Sequence, residues 1–294
     1  MNASTRPIIA AVIVTWNPLV SDVLACAESL LSQVDTIIYS DNGSDADTKK
    51  LLTELQQKHK NIVCLWNGEN LGIATALNRG VACARELKAE WVMTLDHDSV
   101  PEKDMVAKMF AAYQTLSDEE KNTTAILCPN FMLAKGPSYH DARARFIETS
   151  ITSGQLVKMK LFEKIGGYED DLFVECVDHE FCFRAFAHGY RTFLAPDAML
   201  RQRIGHPDVK QLFGKTFVVP HYSPERYYYQ LRNTVVIYKK YYRIVPRWVL
   251  KNMPPVVYSL IKVVLYEKQP ARKLGLAMLG VFDGLRGKLG KRGG

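Results

Sequence analysis

The sequence predicts an α/β protein built on a single, mostly parallel sheet with helices on both faces, followed by a basic helical extension. Three observations carry this reading. Four short apolar, β-branched runs alternate with helical stretches across the first hundred residues, the pattern of a parallel sheet with helical crossovers. Each of the four runs ends in polar or glycine-bearing residues, where open α/β sheets place their ligands. The charge is also uneven. From Lys239 onward thirteen Lys and Arg stand against only Glu267 and Asp283, a surplus of eleven that leaves −4 of the chain's +7 for everything before it.

The elements follow in order. Residues 8–14 (IIAAVIV) form the first strand and 19–31 the first helix. Residues 35–40 make the second strand, and 50–58 the helix after it. Residues 62–66 give the third strand, 73–87 a helix and 91–95 the fourth strand. The strand ends then bring together Thr15-Trp16-Asn17, Asp41-Asn42-Gly43-Ser44, Asn67–Gly72 and Asp96-His97-Asp98 along one crevice. After Pro101 the alternation weakens. A strand-like stretch spans 151–159, and a helix spans 225–242 with Arg226, Tyr229 and Asn233 on one face by three-to-four spacing. The domain reading is one main unit over 1–238, divided into halves 1–100 and 101–238. A basic amphipathic extension covers 239–294 and ends in a frayed Gly/Lys tail.

Composition narrows the class. A chain 47% hydrophobic and 23% charged is that of a soluble globular protein. Its six cysteines show no CxxC spacing, so they read as core thiols in a reducing compartment. No basic-then-apolar leader opens the chain, and no run reaches the ~18 apolar residues of a membrane span. The expectation is a cytoplasmic protein, peripheral at the inner face of the cell membrane. The basic extension has two readings: contact with an anionic membrane surface, or a helical cap over the main unit. Nucleic acid is not expected, because the basic residues alternate with apolar ones and the body is acidic.

Three motifs carry chemistry. In WVMTLDHDSVP (91–101) an apolar strand runs into two aspartates one residue apart. In an extended segment both carboxylates point the same way, so they repel unless a cation sits between them. Their oxygens suit Mg²⁺ or Mn²⁺ completed by water and phosphate oxygens; a solvated pair capping the next helix is the plainer reading. SDNGSD (40–45) is a turn with Asx chemistry, in which Asp41 is an acceptor for a base imide N–H. VDHEFCFRAFAHGYRT (177–192) carries Asp178 and Glu180; each reads as a helix-start cap or as a general base.

VTWN (14–17), SDNGSD (40–45), NLGIATALNRG (70–80), LDHDS (95–99), TSGQLV (152–157), IGGYEDDLFVECVDHEFCFRA (165–185) and SPERYYYQLRN (223–233) occur in that order. Together they resemble the inverting family 2 glycosyltransferases of the GT-A fold, a Rossmann-like sheet, and most of all bacterial rhamnosyltransferases of O-antigen and cell-surface polysaccharide synthesis. The resemblance covers about residues 8–235. It implies that Thr15, Asn17, Asp41 and Asn42 hold the nucleoside of a nucleotide-sugar, and that Asn70, Gly72 and Asn78 shape the donor pocket. It implies that Asp96 and Asp98 hold the metal on the diphosphate and that Asp178 is the catalytic base. Ser153 and Gly154 then lie near the sugar or acceptor, with Glu180, Arg226 and Asn233 on the substrate or anchoring the helix. The implied donor is dTDP-L-rhamnose, the implied cofactor Mg²⁺ or Mn²⁺, and the implied acceptor a lipid-linked glycan.

The chain departs from that pattern at His97, where glutamine is expected, and at Glu175, where an aspartate is expected. It departs again at Gln202, where relatives place a histidine; if that histidine touches metal or diphosphate, this chain either does without it or uses His206 or His221. Galactosyl- and other hexosyltransferases using UDP-sugars share most of these parts, so the donor stays open. A sugar-phosphate nucleotidyltransferase is the rival enzyme class, but it expects a glycine-rich basic loop where this chain has VTWNPLVSD. A non-catalytic partner subunit is the remaining rival.

Overall fold

The computed structural model describes residues 6–133, 141–202, 208–212, 215–219 and 221–293. The expected alternation is present: β1 (Ile9–Thr15), α1 (Val20–Leu30), β2 (Thr36–Asp41), α2 (Ala46–Lys58), β3 (Ile62–Trp66), α3 (Ile73–Glu86) and β4 (Trp91–Asp96). The second half adds β5 (Ser99–Pro101), α4 (Met105–Gln114), α5 (Asp118–Thr123), β6 (Thr124–Leu133), β7 (Arg145–Ile147), β8 (Gln155–Lys158) and α6 (Met159–Ile165). It continues with α7 (Val177–Ala187), β9 (Arg191–Gln202), a hairpin of β10 (Asp208–Leu212) and β11 (Lys215–Val219), and then α8 (Pro224–Tyr241), α9 (Pro246–Tyr266) and α10 (Pro270–Arg286).

One sheet runs β3-β2-β1-β4-β8-β6-β9-β5, with β7 paired to β9. Its first four strands are parallel, and the remainder is mixed. Strand β1 shows why both faces are covered. Ile9, Ala11 and Ile13 enter one core cluster beside α1 and α4, while Ala10, Val12 and Val14 enter another beside α3, α6 and α7. A strand apolar at every position needs a layer on each side.

Register fixes where the site forms. Thr15 lies opposite Asp41, and Val14 lies opposite Asp96. The carboxyl ends of β2, β1 and β4 therefore stand side by side. The stretch 151–159 is a strand only over Gln155–Lys158. Before it Gly154 takes φ +83° and donates to the Thr94 carbonyl at 2.7 Å, so the chain turns instead of extending.

The boundary expected at residue 238 falls inside α8. The extension packs on α8, as the cap reading expects. A Cβ on Gly280 would sit 2.3 Å from the Tyr228 carbonyl oxygen, and one on Gly284 would sit 2.6 Å from that of Arg232. Glycine thus lets α10 lie directly on the α8 backbone. Asp283 accepts from the buried Tyr228 hydroxyl at 2.8 Å. Within the tail expected to fray, Gly290 donates to the Asp171 carbonyl, Arg232 donates to the Gly290 carbonyl, and Lys291 reaches the Asn70 carbonyl at 3.1 Å.

Candidate active site

A cavity of about 890 Å³ opens at the carboxyl ends of the parallel strands. Asn42, Asn70 and Gly72 line its β2–β3 side, and Asp96, His97, Asp98 and Gln202 its floor. Glu175 lines it from the loop before α7, Asp178 from the first turn of α7 and Arg226 from α8. The sequence thus brings three strand ends and two helix starts to one place.

The β2 and β3 turns are locked together by amides. Asn42 donates to Asn70 Oδ1 and to the Gly72 carbonyl, both at 3.1 Å, and accepts from the Leu71 N–H. Gly72 has φ +87°, and a Cβ there would lie 2.6 Å from the Phe173 carbonyl oxygen. That contact lets α3 begin against the loop that precedes α7, where the Ile73 N–H donates to the Phe173 carbonyl at 2.7 Å.

Asp96 is the electrostatic centre. Burial and the charges of Asp98 and Asp178 push its carboxyl up to about 7, with Glu175 adding to the effect and Arg226 opposing it. Among the described residues, five carboxylates (Asp96, Asp98, Glu175, Asp178 and Glu225) therefore line one cavity with Arg226 on its wall. Asp96 is held from behind: its N–H donates to Ser153 Oγ at 3.1 Å, and Ser153 donates to Ser99 at 2.8 Å. Gln202, expected as the loss of a histidine, donates to Asp96 Oδ2 at 3.4 Å instead. Arg226 is paired with Glu175 and lies 3.9 Å over the Tyr222 ring.

Asp178 sits in the first turn of α7, and the route to it is strained. Phe173, Glu175 and Cys176 all have φ between 60° and 65°, left-handed values that non-glycine residues adopt at a cost. Asn233 offsets this. Its amide donates to the carbonyls of Leu172, Val174 and Glu175 at 2.9, 2.6 and 2.9 Å, and Arg232 donates to Leu172 and to Asn233 Oδ1. Asn233→Ala takes the side-chain donor from the Val174 and Glu175 carbonyls, while Leu172 keeps Arg232, and is expected to destabilise the fold by about 2–4 kcal/mol, read from a urea denaturation midpoint.

Several residues expected on the ligand lie elsewhere. Thr15 and Asp41 are fully buried and hold each other at 3.0 Å, while Asp41 also accepts from the Gly43 and Ser44 N–H groups; they build the turn and do not face the cavity. Asn17 is similarly spent on the turn, accepting from the Asp45 N–H. Asn78 clamps Tyr168 and Asp170, and Ser153 and Gly154 stand behind Asp96. Asn233 anchors the loop and does not reach the substrate space.

Glu180 points away from the cavity. It is buried among Arg184, Lys240 and the Tyr241 hydroxyl, at 2.9, 2.8 and 2.7 Å. Burial opposes its ionisation, but the two cations hold its carboxyl below the usual range. Helix spacing separates the pair, because residues two apart do not share a face. His221 also lies off the site, 3.1 Å from Asp208 of the β10–β11 hairpin; His206 lies outside the described residues. Sequence reasoning missed the wall supplied by α9, where Trp248, Asn252 and Ser259 face the cavity. Trp248 packs on His179, the neighbour of Asp178, at 4.9 Å. No local signal marks that contact, since it depends on how α9 packs.

The profile of Glycosyl transferase family 2 matches residues 10–188. The chain is 29% identical over 297 residues to the dTDP-rhamnosyl transferase RfbF of Shigella flexneri, covering 96% of this chain and 97% of that protein. It is 23% identical to the uncharacterized glycosyltransferase MJ1057 of Methanocaldococcus jannaschii, covering 69% and 73% respectively. Among solved structures, the mannosyltransferase PcManGT of Pyrobaculum calidifontis, in complex with GDP-Man and Mn²⁺, superposes with TM-score 0.60 at 14% identity, over 97% of this chain and 88% of that one. GalNAc-T7 with UDP, GalNAc and Mn²⁺ superposes with TM-score 0.62 at 14% identity, over 85% of this chain but only 51% of its own. With a family match over more than half its length and a sheet that superposes on these GT-A folds, the chain belongs to glycosyl transferase family 2 and is a glycosyltransferase.

Proposed function

We propose that the protein transfers L-rhamnose from dTDP-L-rhamnose, with inversion, to a hydroxyl of a lipid-linked glycan, as a peripheral enzyme at the cytoplasmic membrane face in O-antigen or related polysaccharide synthesis. The observation that carries this is the near full-length likeness to a dTDP-rhamnosyl transferase, taken with Asp96, Asp98 and Asp178 on one cavity.

Asp96 and Asp98 are the residues that would hold Mg²⁺ or Mn²⁺. Their fit is argued from charge: hard oxygen donors, with the Asp96 carboxyl pushed up by acidic neighbours, call for a cation. A bound cation supplies charge neutralisation of the leaving nucleoside diphosphate. Asn42, Asn70 and the exposed Trp16 border the nucleoside end. Asp178 takes the proton from the acceptor hydroxyl as its oxygen bonds to the anomeric carbon. The bond from that carbon to the diphosphate breaks in the same displacement.

A thermal-shift panel tests the donor. With Mn²⁺ and ligand near a hundred times Kd, dTDP-rhamnose should raise Tm by about 5 °C. UDP-galactose at the same concentration should give a much smaller shift. A larger shift with UDP-galactose would replace the donor by a UDP-hexose and leave the family untouched.

A further inference from the structure

Helix α9 carries two faces with opposite chemistry. One lines the cavity beside Asp178 through Trp248, Asn252, Pro255, Val256 and Ser259. The other presents Leu250, Met253, Val257, Ile261 and Val264, spaced three and four apart, and leaves them exposed, Leu250 at 67% and Val257 at 59%. A buried face and a wet face are ordinary for a helix, but the wet face should be polar. Here it is apolar, with Arg247, Lys251 and Lys262 along its border. Helix α10 also leaves Met278, Phe282 and Leu285 exposed, and Arg286 lies 3.8 Å over the Phe282 ring.

The charge around this face has one sign. Glu267 and Asp283, the two side-chain carboxylates after Lys239, are both buried and paired, Glu267 with Tyr227 and Lys273, Asp283 with Tyr228. Among the described residues the segment therefore shows solvent no side-chain carboxylate, and its exposed charges are cations. No helix among the described residues is long and apolar enough to cross a membrane. An apolar face bordered by cations lies in the plane of a bilayer interface instead. A second copy is a poor occupant, because a two-fold contact would set this cationic border against itself.

We propose that α9 docks flat on an anionic lipid bilayer through its Leu250, Val257, Ile261 and Val264 face, while its opposite face walls the acceptor subsite. The reading rests on the cavity taking a nucleotide-sugar and a glycan hydroxyl. One helix diameter, about 10 Å, then separates the lipid head groups from the acceptor wall. A glycan carried on a lipid is brought to Asp178 by the same helix that holds the enzyme on the membrane.

Full-length protein sedimented with vesicles tests this. Partition should be at least about tenfold higher with one-third phosphatidylglycerol than with phosphatidylcholine alone, and should fall with added salt. Val257→Glu with Ile261→Glu should cut partition by at least about tenfold, while the Mn²⁺-dependent thermal shift with dTDP stays as in the parent. Equal partition of parent and variant, or no partition of the parent, overturns the proposal. So does a parent dimer in sedimentation equilibrium that the same double variant dissolves, since a second copy then covers the face. Vesicle binding without any nucleotide shift leaves the docking intact and counts against the donor reading alone.

Discussion

Asp178→Asn should lower transfer by about 10³-fold while dTDP affinity, read by thermal shift with Mn²⁺, stays within a few-fold of the parent. The amide keeps the shape of the carboxylate and cannot take a proton. Asp178 borders the α9 side of the cavity, whereas Asn42, Asn70 and Gly72 border the other, so removing its charge leaves the donor end in place. Normal turnover in this variant would take the base role from Asp178. Equal loss of nucleotide binding would point to misfolding of the loop at 172–176, which Asn233→Ala tests separately.

The sheet was legible because its signals are local. Four β-branched runs with polar ends gave the parallel half to within a residue or two, and Thr15, Asp41 and Asp96 fall at strand ends as read. The aspartate pair was also legible: two carboxylates after an apolar strand have no cheap burial. The division of labour among the polar residues was not. Asp41 and Asn78 look like ligand contacts in sequence and Asn233 was open between substrate and anchor, yet each hydrogen-bonds backbone in a turn or strained loop. Residue type cannot say which side of a turn a side chain faces. Glu180 failed for a different reason. Its partners Lys240 and Tyr241 are 60 and 61 residues away, and only the packing of α8 on α7 brings them there. The extension was read from charge alone, which left cap and membrane contact as rivals. Its helices divide the work: α10 caps α8 through Gly280 and Gly284, and α9 keeps an apolar face outward.

Asp96→Asn should abolish the Mn²⁺-dependent thermal shift with dTDP and lower turnover by about 10³-fold, since it removes one of the two oxygen donors proposed for the cation. The same variant separates binding from burial through pH. In the metal-free fold the Asp96 carboxyl is pushed up to about 7, above the ~3.9 of an unfolded aspartate. Its contribution to stability is then complete below pH ~3.9 and is lost as pH rises through about 7. Metal-free Asp96→Asn should therefore have the higher Tm at pH 8, with the two proteins converging toward pH 4. In the parent, Mn²⁺ with dTDP should raise Tm more at pH 8 than at pH 6, because protons compete with the cation for the carboxylate. A shift of equal size in parent and variant would place the cation elsewhere. A parent shift that grows as pH falls would show that Asp96 does not bind it as a carboxylate, and the diphosphate would need another source of neutralising charge, for which Arg226 stands nearest on the cavity wall.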